Sequence, residues 1–257
     1  MTQDRDPVLQ SKQLCMDFGG VRALDDFDIS VFLGEICGLI GPNGSGKSTF
    51  LNVVSRIYRP SSGIVSFRGR DLSSWSMDEL CFLGISRTFQ NIRLFSSLTA
   101  LENVLVGLHT KMLKSFWKTV LGSRESIRSE QEAREEALSM LRFVSLSDKA
   151  SEFAKNLSYG EQRRLEITRA LASDPLLVML DEPTAGMSAS EASDIVRLIG
   201  ALKAKGKAIL VIEHNMRVIM KVADRIVVLD SGRKIAEGTP HEIRSNEKVQ
   251  QAYLGKE

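Results

Sequence analysis

One glycine-rich octapeptide constrains the fold more than any other part of the chain. Residues 41–48 read Gly-Pro-Asn-Gly-Ser-Gly-Lys-Ser, which fits the pattern G-x-x-x-x-G-K-[ST]. The short apolar run at 35–40 precedes the octapeptide, and a helical pattern begins at Lys47. A strand that passes through such a turn into a helix is the context in which this pattern predicts a phosphate-binding loop.

Each residue type in this loop has a physical task. Glycines let backbone N–H groups converge on phosphate oxygens at a helix N-terminus, where the helix dipole favours negative charge. Lys47 is expected to neutralise β- and γ-phosphates, and the Ser48 hydroxyl to ligate Mg²⁺. The alternative is a glycine turn that binds nothing. We expect the nucleotide contacts to come from Gly41, Asn43, Gly44, Ser45, Gly46, Lys47, Ser48 and Thr49.

Two carboxylates follow another apolar run further along the chain. Asp181 and Glu182 come directly after residues 176–180, so they stand at the carboxyl end of a predicted strand, where α/β sheets hold ligands. We expect Asp181 to bind Mg²⁺ directly or through water. Glu182 is then the general base that polarises the water attacking the γ-phosphate. The alternative is a pair of acids that only cap a loop before Pro183.

The remaining chain alternates short apolar strands with helical patterns. This alternation predicts a mainly parallel sheet covered by helices. Between about 91 and 157 the β-branched runs give way to helical periodicity, which predicts a helical insertion. Strands are predicted over 8–16, 27–31, 35–40, 64–67, 85–89, 176–180, 207–212, 225–230 and 234–237, with helices over 47–57, 160–172, 189–205 and 215–222.

Charge and composition narrow the class of protein. With 34 basic and 32 acidic residues, the net charge of +2 does not indicate a chain that coats nucleic acid, and no nucleic-acid partner is expected. The longest apolar runs are about five residues, whereas a membrane helix needs roughly 20. Cys15, Cys37 and Cys81 form no C-x-x-C pair. We expect a reduced, cytosolic chain that does not span a bilayer by itself.

A further motif brings a family resemblance. Residues 157–162 read Leu-Ser-Tyr-Gly-Glu-Gln and resemble the signature motif of the ATP-binding cassette (ABC) ATPases. The resemblance implies an α/β P-loop NTPase fold with a mixed, mainly parallel core sheet, an N-terminal antiparallel β part and an α-helical subdomain. The core is expected at about 1–90 and 166–257 and the helical subdomain at about 91–165. Ser158 and Glu161 also fit a capping box, and both interpretations can hold together.

In that family the signature motif faces the γ-phosphate of ATP bound by a second cassette. The resemblance therefore implies ATP and Mg²⁺ as ligands and a dimer, of two copies or with a paralogue, that closes over two nucleotides. Ser158 and Gly160 would contact the ATP of the partner subunit. Tyr159 departs from the usual glycine and Glu161 from the usual glutamine.

Three other positions match the family in order, and a fourth departs from it. Phe18 matches the aromatic residue that stacks on adenine, although a core phenylalanine is the alternative. Gln90 matches the glutamine that touches Mg²⁺ or its water and senses the transporter. His214 matches the histidine that contacts the γ-phosphate and positions Glu182, although a structural histidine is the alternative. Ser188 replaces the usual Asp or Asn, and the spacing Ser188-Ala-Ser-Glu191 still fits a capping box.

Several stretches are similar to the ATPase subunits of branched-chain amino-acid importers, namely 18–23, 87–95, 157–166, 213–216 and 252–255. This similarity implies a separate subunit that docks on transmembrane permease subunits at the cytoplasmic face of the inner or plasma membrane. Such a cassette does not contact cargo. The alternatives are an ATPase subunit for urea or amide uptake or for lipopolysaccharide transport, and a low-turnover nucleotide-dependent switch protein.

Two surfaces could face the membrane subunits. The amphipathic stretch at 112–121 is expected to pack on the helical insertion, with a position near lipid as the alternative. The groove for a partner helix is expected near Gln90, where Arg93, Leu94 and Phe95 offer one cation and two apolar anchors.

Overall fold

The computed structural model describes residues 6–116 and 123–254 and contains two sheets. The four-stranded sheet is antiparallel, with the order β2-β1-β4-β5, where β1 is Leu9–Phe18, β2 is Val21–Val31, β4 is Ser62–Phe67 and β5 is Arg70–Asp71. The other strands are β3 (Ile36–Ile40), β6 (Ile85–Arg87), β7 (Leu177–Asp181), β8 (Ala208–Ile212), β9 (Arg225–Asp230) and β10 (Arg233–Gly238).

These six strands form a mixed, mainly parallel sheet in the order β10-β9-β3-β8-β7-β6, with β10 antiparallel at one edge. This arrangement confirms the predicted fold class. Among the described residues, no helix has both the length and the apolar character needed to cross a membrane. The helices are α1 (Lys47–Val54), α2 (Glu79–Leu83), α3 (Ala100–Phe116), α4 (Ser123–Phe143), α5 (Tyr159–Ala172), α6 (Ala189–Ala204), α7 (Met216–Val222), α8 (Pro240–Arg244) and α9 (Glu247–Leu254).

Two apolar clusters cover the two faces of this sheet. On β3, Ile36 and Ile40 belong to the cluster that includes α3, α5 and α6, while Cys37 and Leu39 belong to the cluster that includes α1 and the antiparallel sheet. The same alternation continues on β7, β8 and β9. Because each of these four strands is buried on both faces, the sequence shows continuous apolar runs instead of alternation.

The helical segment packs on α5 through one apolar stripe. Val104 and Leu108 of α3 and Ala137 and Leu141 of α4 are buried in the same cluster as Leu165. The predicted helical character of this segment is therefore confirmed. The amphipathic stretch at 112–121 falls outside the residues whose side chains the structure describes, so its two interpretations stay predictions.

Element boundaries differ from the sequence patterns at several places. The strand predicted over 27–31 begins at Val21, because β1 and β2 form a hairpin whose turn, Gly19-Gly20, takes positive φ at both residues. The first helix ends at Val54, since Arg56 has a φ of 59°. The strand predicted over 85–89 ends at Arg87.

Candidate nucleotide site

The glycine-rich loop joins β3 to α1 and surrounds the Lys47 ammonium group. Nζ of Lys47 donates to the carbonyl oxygens of Gly41 and Pro42, both at 2.8 Å, and to Oγ of Ser45 at 3.3 Å. The Lys47 side chain is therefore buried inside the loop. Such a position allows the ammonium group to reach phosphate oxygens bound by the same loop.

Two glycines of this loop accept no larger residue. A Cβ on Gly41 would lie 1.9 Å from the carbonyl oxygen of Leu229, and one on Gly46 would lie 2.5 Å from that of Ala23. Gly46 also has a φ of 107°. It caps α1 without a side-chain hydrogen bond. The first N–H groups of α1 are thus available to an anion, as the sequence pattern predicts.

Asp181 ends β7 and is held by a buried arginine. Its Oδ2 lies 3.1 Å from Nη2 of Arg87, and both side chains are 8% exposed. Nη1 of Arg87 also donates to Oδ1 of Asn52 at 2.8 Å and to Oγ of Ser55 at 3.1 Å. Burial raises the pKa of Asp181, and the hydrogen bond from Arg87 opposes this increase. Arg87 therefore ties the Asp181 carboxylate to α1.

Two residues predicted from sequence converge on a third, at the Glu182 carboxylate. Nε2 of Gln90 donates to Oε2 of Glu182 at 3.0 Å, and Nδ1 of His214 lies 3.5 Å from the same oxygen. Glu182 has a φ of 48°, and its N–H donates to the Ile212 carbonyl oxygen at 2.9 Å. The turn after β7 thus directs the carboxylate toward the loops that follow β6 and β8. This arrangement can orient a water molecule and accept its proton.

The predicted signature helix begins as its spacing indicates. Ser158 caps α5, accepting from the Glu161 N–H at 3.3 Å, while the Ser158 N–H donates to Glu161 at 2.8 Å. A Cβ on Gly160 would lie 2.4 Å from Oε1 of Glu191, so α6 packs closely on this helix start. Gly160 therefore lies against Glu191 of α6, and Ser158 is hydrogen-bonded to Glu161 rather than to the Glu182 oxygen where Gln90 and His214 meet.

Sequence reasoning missed a buried arginine one turn into α5. Arg163 is fully buried and donates to the carbonyl oxygens of Phe89 and Gln90, both at 2.6 Å, and to Oε2 of Glu166 at 2.9 Å. The other oxygen of Glu166 accepts from the Arg93 N–H at 2.9 Å. The pair therefore fixes the segment that carries Gln90. Arg163 and Glu166 are three positions apart in a helix with a buried face, and this spacing is the sequence signal that could have indicated an ion pair between them.

Phe18 lies outside the buried core. It ends β1, is 39% exposed and makes an edge-to-face contact with Tyr58 at a centroid distance of 5.1 Å. The core-phenylalanine alternative is therefore wrong. An exposed ring steadied by a second aromatic residue can stack on a planar ligand.

The oxygen donors of the site fit a magnesium ion. Ser48, Gln90 and Asp181 provide hydroxyl, amide and carboxylate oxygens, which are ligands of the kind that Mg²⁺ prefers. In the described ranges, no group of three or more His, Cys, Asp or Glu residues is placed to hold a metal by itself. This donor set suits an ion that is bound mainly by phosphate oxygens and water, with few protein ligands.

Comparison with known proteins agrees with this geometry. The ABC transporter family model matches residues 24–185, and a model named branched-chain amino acid ATP-binding cassette transporter matches residues 233–257. The chain is 39% identical over 250 residues to the high-affinity branched-chain amino acid transport ATP-binding protein BraF of Pseudomonas aeruginosa, covering 97% of this chain and 98% of that protein. It is 38% identical to the protein LivG of Escherichia coli, again covering 97% of this chain and 98% of that protein.

Solved structures show the same fold. A nucleotide-free ATP-binding cassette from an ABC transporter superposes with a TM-score of 0.83 and 34% identity, covering 98% of this chain and all of that one. A cassette in a dimeric post-hydrolysis state with bound ADP and phosphate gives a TM-score of 0.75 and 29% identity, covering 90% of this chain and 98% of that one. The chain therefore belongs to the ABC transporter family, as one of its ATP-hydrolysing cassettes.

Proposed function

We propose that this cassette powers the import of branched-chain or related amino acids. The cargo class is supported by the relatives that are named branched-chain amino acid transport ATP-binding proteins. They align with almost the whole length of the chain. The hydrolytic chemistry is carried by one observation, the convergence of Gln90 and His214 on Oε2 of Glu182.

In this proposal each residue at the nucleotide has a stated role, and Gln90 has two. Glu182 accepts the proton of the attacking water, Gln90 orients Glu182 and that water, and His214 contacts the γ-phosphate. Lys47 and the backbone of the loop at 41–48 bind the β- and γ-phosphates, and Phe18 stacks on adenine. Ser48, Gln90 and Asp181 would hold Mg²⁺. When bound, the ion neutralises charge that develops on the phosphate oxygens.

The second cassette completes the site. Ser158 and Gly160 lie at the start of a 14-residue helix, where N–H groups can receive an anion. We assign them to the γ-phosphate of ATP held by a partner cassette, which is a second copy or a paralogue. A dimeric relative bound to ADP and phosphate supports this assembly.

Transmembrane permease subunits are the other proposed partners, and they would hold the cassette at the cytoplasmic face of the membrane. The proposed groove lies beside Gln90, where Phe95 is 48% exposed and the Arg93 guanidinium lies 4.1 Å from the Phe89 ring centroid. We also propose the division into a core at about 1–90 and 166–257 and a helical subdomain at about 91–165.

Transport by the assembled complex tests the cargo. The membrane subunits that copurify with the full chain would be reconstituted in vesicles and supplied with radiolabelled leucine, valine or urea, with and without internal ATP. ATP-dependent movement of leucine and valine, but not urea, is expected. Movement of urea alone would overturn the amino-acid assignment while leaving the ATPase intact.

A further inference from the structure

We propose that Glu213 is a positioning residue that sets the distance between Glu182 and His214. The proposal rests on the roles assigned above to those two residues. Glu213 is the first residue after β8, and its side chain is fully buried. Residue patterns assign Glu213 no role, because Thr184, its partner on the turn after β7, lies 29 positions away in the sequence.

One oxygen of Glu213 holds the turn that follows Glu182. The N–H and the hydroxyl of Thr184 both donate to Oε1 of Glu213, at 3.0 Å and 2.6 Å. Thr184 is itself buried and lies two residues beyond Glu182. Any displacement of this carboxylate would therefore release the turn that directs the Glu182 side chain.

The other oxygen holds the segment that follows His214. The Asn215 N–H donates to Oε2 of Glu213 at 3.4 Å, and Asn215 in turn caps α7 by accepting from the Arg217 N–H at 3.1 Å. A single carboxylate thus contacts the residue two positions after Glu182 and the residue directly after His214. Glu213 therefore holds the two chain segments that carry Glu182 and His214, whose side chains lie 3.5 Å apart.

The chemistry of this buried group favours a positioning role. Its hydrogen-bond donors are neutral, and within the described residues no ion pair to Glu213 is found. A buried carboxylate without a cation is expensive to maintain. A carboxylate accepts hydrogen bonds at both oxygens, whereas an amide would present its NH₂ group to one of the two donor residues.

The backbone of Glu182 adds to this requirement. Its φ of 48° is sparsely populated for a residue other than glycine, so surrounding contacts must hold it. Such contacts include the backbone hydrogen bond from the Glu182 N–H to the Ile212 carbonyl oxygen. They also include the two hydrogen bonds from Thr184 to Glu213. Together they join the ends of β7 and β8 at the residues that we assign to hydrolysis.

The first test compares kcat with the KM for ATP in variants of the full chain. Glu213→Gln is expected to lower kcat by about 10–100-fold, since misplacing a reacting group by about 1 Å can cost 100-fold. KM should stay within about twofold of the wild type, because the loop at 41–48 is untouched. Thr184→Val should reproduce part of the loss, whereas Thr184→Ser should retain activity. Glu135→Gln, on an exposed part of α4, is the matched control.

Hydrogen exchange tests the contact without relying on turnover. Glu213→Gln should increase amide exchange in peptides covering 182–188 and 212–217 and leave the peptide covering 41–48 unchanged. Wild-type kcat together with unchanged exchange would overturn the proposal, as would equal losses of kcat and ATP binding. A wild-type chain that binds ATP but never hydrolyses it would instead remove the roles of Glu182 and His214. The exchange result would then still decide whether Glu213 holds the two segments.

Discussion

Gln90 donates a 3.0 Å hydrogen bond from Nε2 to Oε2 of Glu182, across 92 positions of sequence. The two residues follow β6 and β7, which are parallel neighbours, so their carboxyl ends meet at one edge of the sheet. The backbone of Gln90 is in turn fixed by Arg163 of α5. A shift of α5 would therefore move Gln90 and, through it, Glu182.

Glu182→Gln tests the assigned general base. The amide keeps the size of the side chain but cannot accept a proton, so hydrolysis is expected to fall by about 10²–10⁴-fold. ATP binding should persist because the loop at 41–48 is unchanged. Turnover is measured by phosphate release and assembly by light scattering with ATP, where a stable dimer should accumulate. Turnover at the wild-type rate would remove Glu182 from its role.

Ser158→Arg tests the contribution of a second cassette. A long arginine side chain at the start of α5 would fill the space that a partner's phosphates must enter, so hydrolysis should be lost while ATP remains bound near Lys47. Ser158→Thr is the matched control, because its hydroxyl can still cap the helix by accepting from the Glu161 N–H. ATP affinity and phosphate release are measured on both. Normal hydrolysis by the arginine variant would contradict the shared site.

Arg87→Met tests the buried pair beneath the site. Removing Arg87 leaves the Asp181 carboxylate buried without its cation, and breaking such a pair costs about 3 kcal/mol or more. Chemical denaturation near neutral pH should show this loss. Arg93→Met, which removes an arginine from the same segment without touching Asp181, is the control. An unchanged free energy of unfolding would show that the pair does not stabilise the fold.

The same variant has a defined pH dependence. Burial raises the pKa of Asp181 in the folded protein, and Arg87 limits this increase. A carboxyl group whose folded pKa lies above its unfolded value destabilises the fold at pH above the unfolded pKa, and this penalty fades as pH falls through the folded pKa. The deficit of Arg87→Met should therefore shrink on acidification. A deficit that grows with acidification would contradict the assigned cause.

Local spacing explains what the sequence could predict about the site. Three motifs are contiguous in sequence, so the geometry of each follows from the element that carries it. They are the loop at 41–48, the Asp181-Glu182 pair after a buried strand, and the capping box of Ser158 and Glu161. Arg163 and Glu213 act on residues 73 and 29 positions away. Their roles depend on the pairing of β6, β7 and β8, which residue patterns do not specify.

The order of the strands in the sheet is likewise not specified by residue patterns. Continuous apolar runs correctly predicted strands buried on both faces. The order β10-β9-β3-β8-β7-β6 is not the order of the chain, because β3 lies between β8 and β9. Periodicity identifies each strand but not its neighbour, so the meeting of Gln90, Glu182 and His214 required the structure.

Ser188→Ala tests the capping box that Ser188 forms with Glu191, at the position where the family usually has Asp or Asn. The hydrogen bonds from the Ser188 hydroxyl and then from its N–H lower the pKa of Glu191. Because the folded pKa lies below the unfolded value, this stabilisation is present above the unfolded pKa and is lost as pH falls through the folded pKa. Thermal unfolding near pH 7 should show a Tm lower by about 3 °C, and the difference should fade on acidification. A constant difference would indicate that Glu191 takes no part.

Thiol labelling separates the three cysteines by burial. Cys37 is the second residue of β3 and is fully buried, and burial raises the pKa of its thiol to about 12. Because the thiolate is the reactive form, Cys37 should resist iodoacetamide in the native protein near pH 8. Cys15 and Cys81 are partly exposed and should react first. Mass spectrometry of the labelled peptides, with denatured protein as the control, measures this order. Native labelling of Cys37 at the rate of Cys15 would mean that the sheet opens at β3, next to the loop that begins at Gly41.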